Sequence, residues 1–176
     1  MDSTQSAIPG HGVWPELPAP LSIPVPDSHC HLDIEFSPDK YGPGLSVDDA
    51  IAHAAAVGVN RIVQIGCDTA GAKWAVDTAQ HHPEIVAGVA IHPNEAPRLA
   101  ASDELTSALR LIEELAGDPN VLVVGETGLD YYRTLPAGRA SQEESFRWHI
   151  RLANKLDKTL VIHDRDAHDD VVRVLL

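Results

Sequence analysis

Short runs rich in Val and Ile, each followed by ten or more residues of helical spacing, constrain this chain more than any other feature. They start near residues 23, 61, 85, 121 and 159, on average every 34 residues. The runs IPVPDSH, RIVQIGCD, EIVAGVAIHP, VLVVGETGLD and TLVIHDR are nearly continuous in apolar residues, as expected of strands buried on both faces. Between them, VDDAIAHAAAVGV (stopped at Gly58), AGAKWAVDTAQHHP (closed by Pro83), SDELTSALRLIEELAGDP and SQEESFRWHIRLANKLD read as helices. Ser102 or Asp103 is the expected cap of the third, with Gly117 as its exit, and a last helix is expected from Ala167 to Leu176. Strands alternating with helices predict βαβ units and a parallel sheet.

Polar residues gather where each strand ends: Asp27, His29 and His31; Gly66 to Asp68; His92; Glu126; and His163. In (β/α)8 barrels the chemistry sits at the carboxyl ends of several strands, whereas a doubly wound sheet places its ligand at one switch point, usually on a Gly-rich first turn. The first turn here is DSHCHLD, without glycine, so the expected α/β fold is a TIM-type (β/α)8 barrel. A whole barrel of about 250 residues carries eight units. This chain holds about five and is expected to be a barrel truncated before its C-terminal strands, over residues 23–176. Residues 1–22, with Pro9, Pro15, Pro18 and Pro20, read as a flexible Pro/Gly-rich leader that Trp14 could pin to the domain.

Charge narrows the function classes. Thirteen Lys+Arg against 26 Asp+Glu give a net charge of −13, which argues against a protein that coats nucleic acid by neutralising phosphates. It leaves open an enzyme that draws a phosphate to bound metal cations, because the ions reverse the local field. No run approaches the roughly 18 apolar residues needed to cross a bilayer, and the first residues do not read as a secretory signal. Cys30 and Cys67 lack CxxC spacing, and a cytoplasmic, reducing setting is expected.

His29 and His31 stand at i and i+2, so on a strand both rings reach the same face, with Cys30 turned away. With ten histidines in 176 residues chance alone supplies about half of one HxH, so the pair carries weight through its place after a buried strand. Glu126 follows a buried apolar run, where a carboxylate is costly unless it faces a cation or is hydrogen-bonded. His163 repeats the arrangement on the next strand, which makes His29, His31, Glu126 and His163 an N/O ligand set at equivalent strand ends. His92 could face a substrate phosphate, order a ligand or be structural. Arg165 could contact a phosphate or pair with Asp164 or Asp166. Asp33 and Asp130 could hold imidazoles, and Tyr131 and Tyr132 could stack on bases or simply pack. His149, in a helix, reads as structural.

HxH on the first strand, IHP on the third, GETGLDYYR on the fourth and VIHDRDA on the fifth resemble the TatD family of metal-dependent deoxyribonucleases. The resemblance implies a hydrolase of DNA phosphodiesters, trimming single strands from the 3′ end through a two-metal-activated water. It implies His29 and His31 on one divalent ion, Glu126 bridging to a second as the catalytic carboxylate, and His163 on that second ion. Mg, Mn and Zn remain open. The family pattern also carries a His on the sixth strand and an Asp near the end of the eighth, neither within this sequence. The implied partner is DNA, not a membrane, with a monomer for a full barrel and association of an open partial one. The alternative readings are an amidohydrolase-type barrel acting on an amide or ester, and an inactive truncated barrel.

Overall fold

The structure is a computed structural model that describes residues 16–34 and 45–176. Five strands, β1 (Val25–Cys30), β2 (Val59–Gly66), β3 (Ile85–Val89), β4 (Val121–Asp130) and β5 (Thr159–Arg165), form one sheet. All neighbours are parallel, and the strand order is β1-β2-β3-β4-β5. A sheet whose order follows the chain without reversal has no switch point, so it winds as a barrel does and not as a doubly wound sheet. Its helices are α1 (Val47–Ala56), α2 (Thr69–His81), α3 (Ala96–Ala101), α4 (Leu105–Leu115), α5 (Arg139–Leu156) and α6 (His168–Leu175).

Local chemistry starts and stops the helices where the chain must turn. The Ser46 hydroxyl accepts the Asp49 N–H at 3.1 Å to open α1, and Gly58, at φ +92°, lets the chain leave it. Asp68 opens α2 by accepting the Gly71 N–H at 2.7 Å. Ala72, Ala75, Val76 and Ala79 bury one stripe of α2, and their small size brings the helix so close that a Cβ on Gly66 would lie 2.5 Å from Ala72 backbone. The main core lies between α2, α4 and α5 and the sheet, with Ile62, Ile85, Val89, Ile112, Val121 and Leu152 at its centre. A second cluster, Leu129, Phe146, Val171 and Val174, seats α6 beside β4.

The third predicted helix differs from expectation. Neither Ser102 nor Asp103 caps it: a short helix, α3, ends at Ser102, Asp103 takes a left-handed φ of +59°, and α4 begins after Glu104. The Ser102 hydroxyl faces the Glu104 carboxylate at 2.7 Å and the Arg98 and Leu99 carbonyls at 3.3 Å instead of accepting an N–H of α4, and Pro97 already starts a helix upstream. Of the expected leader, residues 1–15 and the Trp14 anchor lie outside the described residues. Residues 16–22 carry no helix or strand, and the Leu21 N–H bonds to the Val57 carbonyl at 3.0 Å. Among the described residues no helix is long and apolar enough to cross a membrane.

Strand β4 carries an irregularity that matters for the site. Its register against β5 shifts between Val124 and Thr127, and Gly125 and Gly128 flank the shift with φ of +156° and +137°. A Cβ on Gly125 would lie 2.6 Å from that of Val161, and one on Gly128 would overlap the His163 carbonyl. The GETG sequence is therefore what lets β4 lie flush on β5 while turning Glu126 out of the regular pleat. Gly128→Ala is expected to lower the unfolding free energy by about 3 kcal/mol, read as a shift of the urea midpoint.

Candidate metal centre

At the carboxyl end of the sheet four imidazoles surround one carboxylate. Glu126 Oε1 lies 3.6 Å from His29 Nε2, 3.7 Å from His31 Nε2 and 3.8 Å from His92 Nε2. Glu126 Oε2 lies 3.3 Å from His163 Nδ1. Two overlapping donor groups result, His29–His31–Glu126 and His92–Glu126–His163, each with its donor atoms within 4.8 Å of one another. The structure thus brings His29, His31, Glu126 and His163 together and adds His92 to them. Arg165 belongs to neither donor group; it is exposed, with its guanidinium 4.0 Å above the Tyr132 ring.

Hydrogen bonds on the far side of three of the four rings bear on which nitrogen faces inward. His31 Nδ1 donates to the Ile65 carbonyl at 3.0 Å, which leaves the Nε2 lone pair free. That nitrogen sits 3.1 Å from His29 Nε2, close enough to accept its N–H or for both nitrogens to face one cation. His163 Nε2 donates to Asp130 Oδ2 at 3.2 Å, and its Nδ1 lies 3.3 Å from Glu126 Oε2, donating to it while the ring is protonated and presenting a lone pair once it is neutral. His92 differs. Its Nδ1 accepts the Asn94 N–H at 3.1 Å, so the neutral ring keeps its proton on Nε2 and points an N–H at His163 Nδ1, 3.2 Å away. The donor set fits a divalent metal: lone-pair imidazoles from β1 and β5 and a carboxylate with an oxygen for each side.

Charge follows from the same contacts. Burial pushes the Glu126 carboxyl up, but the hydrogen bond from His163 and the fields of His92 and His29 outweigh it and hold its pKa at about 2. Burial pushes His92 down, toward the neutral ring, whereas the hydrogen bond to Glu126 raises His163. Burial also raises the Cys67 thiol strongly, with the Glu126 charge adding to it. Cys67 therefore stays protonated and donates to Glu126 Oε1 at 3.5 Å. Cys30 packs against the core, away from the rings.

Several supports escaped the sequence reading. Gln64, fully buried in β2, accepts the Leu32 N–H at 2.6 Å and donates to Asp33 at 2.7 Å, clamping the turn that follows His31. Asp33 thus secures that clamp and not an imidazole, while Asp130 does hold a ring as expected. Along α5, Gln142, Ser145 and His149 form a buried polar stripe at i, i+3 and i+7. Gln142 accepts the Asp130 N–H at 3.1 Å and donates to the Pro93 carbonyl at 2.9 Å. His149 Nδ1 donates to the Ser145 carbonyl at 2.7 Å, and its Nε2 accepts the Ile91 N–H at 3.1 Å. The stripe ties the ends of β3 and β4 to one helix, next to His92 and Glu126. Its signal was present as polar residues at helical spacing amid Phe146 and Leu152.

Fold and site together define part of a (β/α) barrel with a candidate metal centre at the carboxyl ends of its strands. Residues 26–176 match the family described as TatD related DNase. The chain belongs to this family. It is 38% identical over 157 residues to "Uncharacterized metal-dependent hydrolase TatD" of Mycobacterium tuberculosis, covering 85% of this chain and 54% of that relative. It is 31% identical over 128 residues to "3'-5' ssDNA/RNA exonuclease TatD" of Escherichia fergusonii, covering 73% and 47%. Its fold resembles the crystal structure of YJJV, a TatD homolog from Escherichia coli, with a TM-score of 0.68 at 22% identity over 85% of this chain and 54% of that one. The chain spans about half the length of the curated relatives it matches.

Burial lowers the His149 pKa to about 4, below the roughly 6.5 of an unfolded chain. Between those values the unfolded chain binds more protons, so this residue's contribution, about 3 kcal/mol, is present above pH 6.5 and lost as pH falls toward 4. Thermal melts across that window are expected to show a shallower acid loss in His149→Gln than in the wild type.

Proposed function

We propose that this protein is a divalent-metal-dependent hydrolase of DNA phosphodiesters that trims single strands from the 3′ end. The observation that carries the reading is the Glu126 carboxylate, divided between the His29–His31 pair on Oε1 and His163 on Oε2. The name of the Escherichia fergusonii relative, an exonuclease of single-stranded DNA and RNA, supports the substrate class.

In this reading His29, His31 and Glu126 would hold one ion, and Glu126 and His163 would hold a second. Two divalent ions there (Mg²⁺, Mn²⁺ or Zn²⁺) would supply Lewis-acid stabilisation of the phosphate and acidify the attacking water. Asp130 keeps His163 in the tautomer whose Nδ1 lone pair faces inward. Cys67 and the surrounding rings hold the carboxylate ionised and oriented. His92, committed on Nδ1 to Asn94, offers its Nε2 proton to a phosphate oxygen. Arg165, at the end of β5, offers its N–H edge to the backbone of the same strand.

The test is cleavage of a labelled single-stranded oligonucleotide with a free 3′ end, in Mn²⁺ or Mg²⁺ and against EDTA. Metal-dependent shortening from the 3′ end is expected. Glu126→Gln is expected to reduce it by more than about 100-fold, beyond the loss that outer contacts cause, with the melting transition retained. Cleavage that survives EDTA, or an unimpaired Glu126→Gln, would overturn the assignment.

A further inference from the structure

Adjacent tyrosines follow β4, and the structure gives them different roles. Tyr131 is half-buried: its hydroxyl donates to Asp170 at 2.8 Å, and Arg139 covers its ring at 3.9 Å. Tyr132 is 66% exposed, and the guanidinium carbon of Arg165 lies 4.0 Å above its ring centroid. Among the described residues Arg165 makes no ion pair; the neighbouring Asp164 is bonded to His168 at 2.9 Å. A surface salt bridge, the bland role open to Arg165, is therefore not what the structure shows.

An exposed aromatic ring carrying a guanidinium with no ion pair among the described residues is an unusual surface for a chain with a net charge of −13. Its place is specific. The β4–β5 ladder ends with Asp130 opposite Arg165, and the Tyr131 N–H closes it on the Arg165 carbonyl at 2.8 Å. Arg165 lies two residues beyond His163 on the same strand, so both side chains project from one face, about 7 Å apart along the strand. A single nucleotide spans that interval. The guanidinium covers one face of Tyr132, which leaves the other face of the ring for a flat π system and guanidinium N–H groups for a phosphate.

We propose that Tyr132 and Arg165 form a nucleobase-stacking site beside the metal centre, which receives the base of a nucleotide flanking the scissile phosphate. The site rests on the phosphodiesterase reading and makes its substrate an unpaired strand, because a base held in a duplex offers no free face to Tyr132. The stacked Arg165 holds the ring in place before substrate arrives and adds charge where the strand's backbone passes.

The experiment compares affinities of oligonucleotides, by fluorescence anisotropy, for the full chain in the Glu126→Gln background. One oligonucleotide is intact, and the others carry a single abasic residue at each of the three 3′-terminal positions in turn. Loss of one of these bases is expected to weaken binding about tenfold. Tyr132→Leu is expected to bind the intact strand as weakly as that abasic strand, while Tyr132→Phe keeps the difference. Equal affinity for intact and abasic strands, a difference that persists in Tyr132→Leu, or no binding of either strand would overturn the stacking site. The wild-type cleavage assay separates this result from the reaction itself: base discrimination without cleavage removes the nuclease reading alone, and cleavage without discrimination removes the stacking site alone.

Discussion

An ionised carboxylate enclosed by imidazoles organises the carboxyl end of this sheet. Burial alone would drive Glu126 to accept a proton; the rings around it reverse that, and the acid stays charged far below its ordinary range. Three of the four rings are held from behind, which limits the nitrogen that each presents to the carboxylate. Ile65, Asn94 and Asp130 provide that hold through one hydrogen bond each, and they come from three different segments of the chain. The inward chemistry is thus decided by groups that never face inward themselves.

Behind these groups stand Gln64, Gln142 and His149, all fully buried. An unpaired amide or imidazole in such a place costs about 1–3 kcal/mol, so their partners must be supplied in full. Gln64 uses both ends of its amide to fix the turn after β1, and Gln142 does the same for the loops after β3 and β4. The apolar core could seat helices on a sheet with several small offsets. Directional contacts remove that freedom near the site.

Much of this was legible in the residues. The unbroken Val/Ile runs gave parallel strands, and the strand-end positions of His29, His31, Glu126 and His163 gave the core of the site, because both depend on patterns local to a strand. The short helix from Ala96 was not legible: Pro97 and the left-handed Asp103 redistribute caps that the pattern assigned to Ser102 or Asp103. Nor was the difference between His92 and the other rings, which depends on a backbone N–H two residues away. His149 looked like one more helical histidine; only its contacts across 58 positions of sequence to Ile91 reveal what it does. Tyr131 and Tyr132 were equivalent by spacing, and tertiary packing alone distinguishes them.

The sheet's order has a kinetic corollary. Each strand pairs with the strand before it, across a single intervening crossover, so every closure spans a short stretch of chain and the loop entropy to be overcome is nearly the same at each step. Growth can proceed strand by strand without threading. The cluster around Glu126 is the opposite kind of structure: its donors come from β1, β4, β5 and the segment after β3. All five donors are in place only once the first unit and the last three have come together, so the complete cluster is a contact of the whole sheet and not of any one βα unit.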